Sequence, residues 1–129
     1  MSYKKDTENK YIEMTKQMLI KLPDFVKDYI ISIEYTTTAL TRYEYVKDIS
    51  YFFDYLCDTK DINKVILSEL NILTKKDFEN YFHYLQYYEK DGRTYTNTPV
   101  SIKRKLSALR GFMTYMFEEG LIDVNIITK

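Results

Sequence analysis

Residues 99–120 read PVSIKRKLSALRGFMTYMFEEG, and the spacing of the apolar side chains in this stretch decides the fold class. Ile102, Leu106, Leu109, Met113, Met116 and Phe117 recur every three or four residues, so they fall on one side of a 3.6-residue wheel. Thr98 supplies a cap, Pro99 suits the first helical position, and Gly120 suits the left-handed residue that follows a last turn. A long amphipathic helix is predicted, with that apolar stripe as its buried face.

The opposite side carries charge. At about 100° per residue, Lys103, Ser107, Arg110 and Thr114 form one row, and Arg104, Ala108, Gly111 and Tyr115 form a second row beside it. Both rows are expected to be exposed, the two small residues letting the helix backbone come close to a DNA groove while the cations reach phosphates or base edges. The chain as a whole balances 19 Lys plus Arg against 19 Asp plus Glu. That zero hides an uneven distribution: residues 1–92 hold 13 basic and 16 acidic residues, whereas Arg93, Lys103, Arg104, Lys105 and Arg110 face no acid anywhere from 92 to 117. Such polarity suits a nucleic-acid face on an otherwise neutral domain. A solvated helix face is the alternative, although solvated faces usually mix both signs.

Working outward from this helix, three more are predicted. One runs from about Pro23 with Phe25, Val26, Tyr29, Ile30 and Ile33 on its core side. The next follows the Thr36-Thr37-Thr38 cluster and buries Tyr45, Val46, Ile49, Phe52, Phe53 and Leu56, while Thr38, Thr41 and Arg42 lead it. The third opens with a capping box, Thr74 to Asp77, and places Phe78, Tyr81, Phe82, Leu85 and Tyr88 on one side. Tyr11, Met14, Met18 and Leu22 suggest a short additional helix near the N-terminus, and residues 65–73, VILSELNIL, read as a loop with one helical turn. The "DGR" at 91–93 reads as punctuation. Three Gly and two Pro leave little material for the turns of a β-fold. The expected fold is all-α: a compact bundle of four main helices plus a short N-terminal helix.

At 129 residues the chain has the size of a single domain able to bury one core. No apolar run approaches the length of a membrane span, since Lys21, Asp24, Lys27 and Asp28 interrupt the most apolar region. The N-terminus lacks the apolar segment of a secretory signal, and Cys57 has no disulfide partner, so a cytoplasmic location is expected. One Cys and one His make no zinc-ligand set, no glycine-rich phosphate loop occurs, and no nucleophile, base and acid can be grouped. No cofactor, metal or small-molecule substrate is expected. His83 points away from Phe78, Phe82 and Leu85 on the wheel and reads as a surface residue.

The segments LPDFVKDYI (22–30), LTRYEYVKDISYFFDYL (40–56), LTKKDFENYFHYL (73–85) and PVSIKRKLSALRGFMTYMFEEGLIDVN (99–125) occur in a telling order. Together they resemble the N-terminal core-binding, SAM-like domain of tyrosine recombinases, the phage-integrase and Xer class, over about residues 20–126. RKLSALRGF followed by EEGLIDVN carries most of the likeness, then the Thr41, Tyr45, Asp48, Phe52 series. The resemblance implies a helical half-clamp on a recombination site whose second and fourth helices lie against double-stranded DNA. It implies contacts from Thr41, Arg42, Ser101, Lys103, Arg104, Ser107 and Arg110; Arg93 and Thr114 join them from charge and wheel position, and Lys105 adds only long-range attraction. Where the family has Asn-Pro after EEGLI, this chain has Asn125-Ile126.

Recombinases of this class cut with a tyrosine nucleophile helped by arginines, a lysine and a His-x-x-Arg segment. Gln86 stands three residues after His83, so this piece is expected not to cleave DNA, with residues 127–129 opening a linker to a catalytic domain beyond Lys129. The expected partners are DNA at a site of integration or excision, and further recombinase protomers. The alternative is a helical protein-protein interaction module that does not bind DNA.

Overall fold

The computed structural model describes residues 3–124, and within it three threonines open three of the helices. Thr38 Oγ1 accepts from the Thr41 amide at 3.1 Å, Thr98 Oγ1 accepts from the Ser101 amide at 3.1 Å, and Thr74 forms the capping box with Asp77. These caps fix the starts of α3 (Ala39–Lys60), α6 (Pro99–Glu118) and α5 (Lys75–Gln86). Before them come α1 (Tyr3–Ile20) and α2 (Asp24–Ser32), and α4 (Leu67–Asn71) is a single turn inside the 65–73 connection. The expected short N-terminal helix is in fact 18 residues long and packs along α3.

Helix α5 ends at Gln86, two residues before Tyr88, and the chain turns into a β-hairpin, β1 (Tyr87–Lys90) against β2 (Arg93–Thr96). Asp91 and Gly92 both take positive φ, 52° and 75°, as a two-residue hairpin turn demands, so "DGR" is the turn itself and not a mere break between helices. Tyr88 and Tyr95 face each other across the strands with rings stacked at 4.9 Å. At the hairpin's base Asn97 Nδ2 donates to the Leu85 carbonyl at 2.8 Å and Ser101 Oγ donates to Asn97 Oδ1 at 3.2 Å, tying it to the first turn of α6. The fold is otherwise helical throughout, as the composition led one to expect.

The core is aromatic. Phe52 lies between Phe78 at 5.2 Å and Tyr81 at 4.9 Å, and Phe112 gathers Phe25, Tyr29 and Phe53 around it. Ile122, just past α6, is buried with them, and its neighbour Asp123 exchanges two hydrogen bonds with Asn71. Gly120 takes the left-handed conformation expected of the residue that ends α6. Residues 127–129, read as a linker, and the Asn125-Ile126 step lie outside the described residues.

The buried face of α6 differs from the one expected. It consists of Lys105, Ala108, Leu109, Phe112, Met113 and Met116, with Ile102 and Leu106 half-buried and Phe117 45% exposed. The helix is therefore rotated by about 60° from the apolar-stripe reading, rather more than half a residue step. Two things turn it: Lys105 finds a buried counterion, and the small residues admit α2. Ala108 is fully buried, and a Cβ on Gly111 would stand 2.7 Å from Tyr29 Oη. These two residues bring helices together inside the protein and are not open to a DNA groove. Burial, with Tyr45 adding to it, pushes the Tyr29 hydroxyl up to about 12.

Candidate nucleic-acid interface

Helix α6 lies against α3, and the charges at their contact decide which cations can reach a ligand. Asp48 of α3 is only 1% exposed. Its carboxylate accepts from Lys105 Nζ at 2.9 Å and from Arg104 Nη1 at 2.8 Å, and Glu44 stands 3.7 Å from the same guanidinium. A carboxylate so deep is tolerable because two cations hold both of its oxygens. Lys105 is 8% exposed, with its ammonium 5.4 Å over the Tyr51 ring.

Two expectations change here. Arg104 does not stand free on the exposed face: it bridges to α3, and its side chain is 40% accessible. Lys105, expected to project outward, is an internal partner of Asp48. Asp48 had been noted only as part of the family resemblance. Its signal in the sequence is an acid on the margin of the α3 stripe that matches a lysine on the margin of the α6 stripe.

The remaining residues do lie on one outer row. Lys103, Ser107 and Arg110 are exposed and Thr114 is half-exposed, one above another along α6. No ion pair reaches Lys103 or Arg110 among the described residues. Ser107 Oγ donates to the Lys103 carbonyl at 3.2 Å, a local bond that a stronger acceptor can replace. Ser101, in the first turn, is half-buried and bonded to Asn97. Arg93 is exposed on β2, opposite Lys90 in the hairpin register.

Thr41 and Arg42 sit in the first turn of α3. Arg42 Nη1 donates to the Thr37 carbonyl at 2.7 Å and to the Glu34 carbonyl at 3.1 Å, so the guanidinium braces the turn from α2 into α3. The arginine thereby places a cation at a fixed position beside the Thr38 cap. Among the described residues no group of three or more His, Cys, Asp or Glu could hold a metal ion, and no helix is long and apolar enough to cross a membrane. His83 is exposed on α5.

No family model and no solved structure matches the chain. It is similar to proteins named tyrosine recombinase XerS. The one from Streptococcus uberis is 35% identical over 119 residues, covering 84% of this chain and 33% of that protein. The one from Streptococcus thermophilus is 33% identical over 123 residues, with the same shares, and one from Streptococcus pyogenes is 38% identical over 114 residues, covering 76% of this chain and 30% of its own. The chain thus spans about a third of the length of the curated relatives it matches. With that similarity running through all the helical segments from which the resemblance was read, the chain belongs to the tyrosine recombinase family, as a fragment of its N-terminal part.

Proposed function

We propose that this chain is the DNA-gripping part of a site-specific tyrosine recombinase, holding double-stranded DNA at the core recombination site while catalytic residues outside these 129 cut and rejoin it. The observation that carries the reading is the division of labour on α6: Arg104 and Lys105 turn to Asp48, while Lys103 and Arg110 stand exposed without a carboxylate partner among the described residues. Thr41 and Arg42 at the head of α3, and Ser101, Ser107 and Thr114 beside the cations, supply short hydroxyl and guanidinium donors to the phosphate backbone. Arg93 reaches the duplex from the hairpin. Further recombinase protomers assemble on the same DNA, in the cytoplasm, for integration or excision.

Arg42, Arg93, Lys103 and Arg110 would neutralise about four phosphates, so log affinity should fall against log salt with a slope of roughly −3.5. Fluorescence anisotropy with a duplex carrying the recombination site of the same genome measures this. Replacing Lys103 and Arg110 together by Ala should flatten the slope by about two, whereas Arg104→Ala, whose charge Asp48 and Glu44 already offset, should change it by less than one. Absence of binding at about 50 mM salt, where phosphate contacts are strong, would overturn the proposal. An unchanged slope in the double variant would move the DNA face away from α6.

A further inference from the structure

Nothing in the DNA-gripping role uses the tyrosines at the other edge of α3. Between the second half of α3, α5 and the hairpin lies a cavity of about 370 Å³, the size that takes one side chain or a small organic ion. Its wall is a ladder of rings. Tyr55 meets Tyr84 at 4.9 Å, Tyr84 stacks on Tyr88 at 4.5 Å, and Tyr88 stacks on Tyr95 at 4.9 Å. Asp54 and Asp58, one turn apart on α3, line the same cavity, are exposed, and take part in no ion pair among the described residues. Lys90 and Asp91 at the hairpin turn offset each other on the far lip.

Two independent observations say what fits. Tyr81 also lines the cavity and is 1% exposed, yet its hydroxyl has no hydrogen-bond partner among the described residues. A buried hydroxyl without a partner is uncommon and implies one supplied from elsewhere. Burial raises its pKa first of all, with the Asp48 carboxylate and the neighbouring tyrosines adding to it, so it remains protonated. In addition the cavity already holds one cation against one ring, since the Lys105 ammonium lies 5.4 Å over Tyr51. Ring faces attract ammonium and guanidinium groups, and a planar guanidinium stacks on tyrosine while its fork meets carboxylates.

We propose that this cavity is a binding site for an organic cation of the guanidinium or ammonium type, its flat face against the Tyr84, Tyr88 and Tyr95 rings and its N–H groups donating to Asp54 and Asp58. The same chemistry is presented by an arginine side chain on a protein segment and by a free alkylguanidine, and the test distinguishes the two sources.

The test is a titration of the full chain followed by ¹H–¹⁵N and tyrosine ring resonances, with three probes: acetyl-Gly-Arg-Gly-amide, the same peptide with neutral citrulline in place of arginine, and agmatine. Saturable shifts at Tyr84, Tyr88 and Tyr95 with either cation are expected, the stronger of the two identifying the source, and citrulline should bind at least about tenfold more weakly. Asp54→Asn with Asp58→Asn touches only exposed carboxylates, so the fold should persist while affinity drops about tenfold. Tyr81→Phe should also weaken binding without lowering the urea midpoint, an effect that a purely structural ring ladder would not produce. No saturable shift with either cation, equal affinity for citrulline, or unchanged affinity in the double Asn variant would overturn the assignment.

Discussion

Asp48 sets the geometry that the DNA face inherits. Its two partners come from successive residues of α6, so one carboxylate locks both the register and the rotation of that helix against α3. Deleting the acid leaves Lys105 buried beside an aromatic ring without a counterion. Asp48→Ala should therefore destabilise the protein by about 3 to 5 kcal/mol in urea unfolding. Replacing Asp48 and Lys105 together by Leu and Met should recover most of that loss, because a matched apolar pair imposes no buried charge. A loss below about 1 kcal/mol in the single variant would show that the pair is solvated and does not hold the helix. Gly111 acts at the same scale from another direction: with no Cβ it lets the Tyr29 hydroxyl rest against the backbone of α6, which helps turn Ala108 inward and Lys103 outward.

Among the elements, the helix starts are the most local in origin, and α5 shows how far such a start is tied to the rest. Its Asp77 carboxylate accepts from the Thr74 amide at 2.7 Å and from Lys60 Nζ, at the end of α3, at 3.3 Å. Burial alone would raise the Asp77 pKa, but the Thr74 amide, then Lys60 and the Thr74 hydroxyl, outweigh it and hold it below the ordinary 3.8. The sign follows from the charged form being favoured in the folded state. The contribution is fully present above pH 3.8 and is lost as pH falls through the lower folded value. Asp77→Ala should cost about 1 kcal/mol at neutral pH. It should also weaken the acid dependence of stability between about pH 5 and 2, which urea titrations across that range would reveal. Equal acid dependence in both proteins would assign the titration to other carboxylates. The hairpin is the contrasting element: nearly all of it is exposed, and what holds it is the Tyr88 stack and the Asn97 bond to α5.

Across the whole molecule one aromatic network joins α2, α3, α5 and α6, running from Phe25 through Phe112, Phe53 and Phe52 to Phe78 and Tyr81. No boundary without contacts interrupts it, so the chain should unfold as one unit. Far-UV circular dichroism and the near-UV signal of the 14 tyrosines should give coincident urea transitions. Separate midpoints would mean that the tyrosine-rich edge beneath the hairpin opens independently of the bundle. The same scale shows why a chain with no net charge suits a polyanion: most of its acids lie outside the segment 92–117 that provides the basic row.

What the sequence determined by itself was the content that short-range chemistry controls. Thr38, Thr74 and Thr98 cap because a hydroxyl and an amide three residues on need nothing else, and the apolar periods of α2, α3 and α5 declare a helical class without reference to neighbours. The basic row of Lys103, Ser107 and Arg110 was legible for the same reason. The fate of Arg104, Lys105, Ala108 and Gly111 was decided only when α2 and α3 arrived. A wheel ranks residues by polarity, and so it puts a lysine outside and cannot know that an aspartate 57 positions away will bury it. The Asp91-Gly92 turn did carry a local signal, but whether tyrosines on either side become strand or helix depends on the rings they find to stack against.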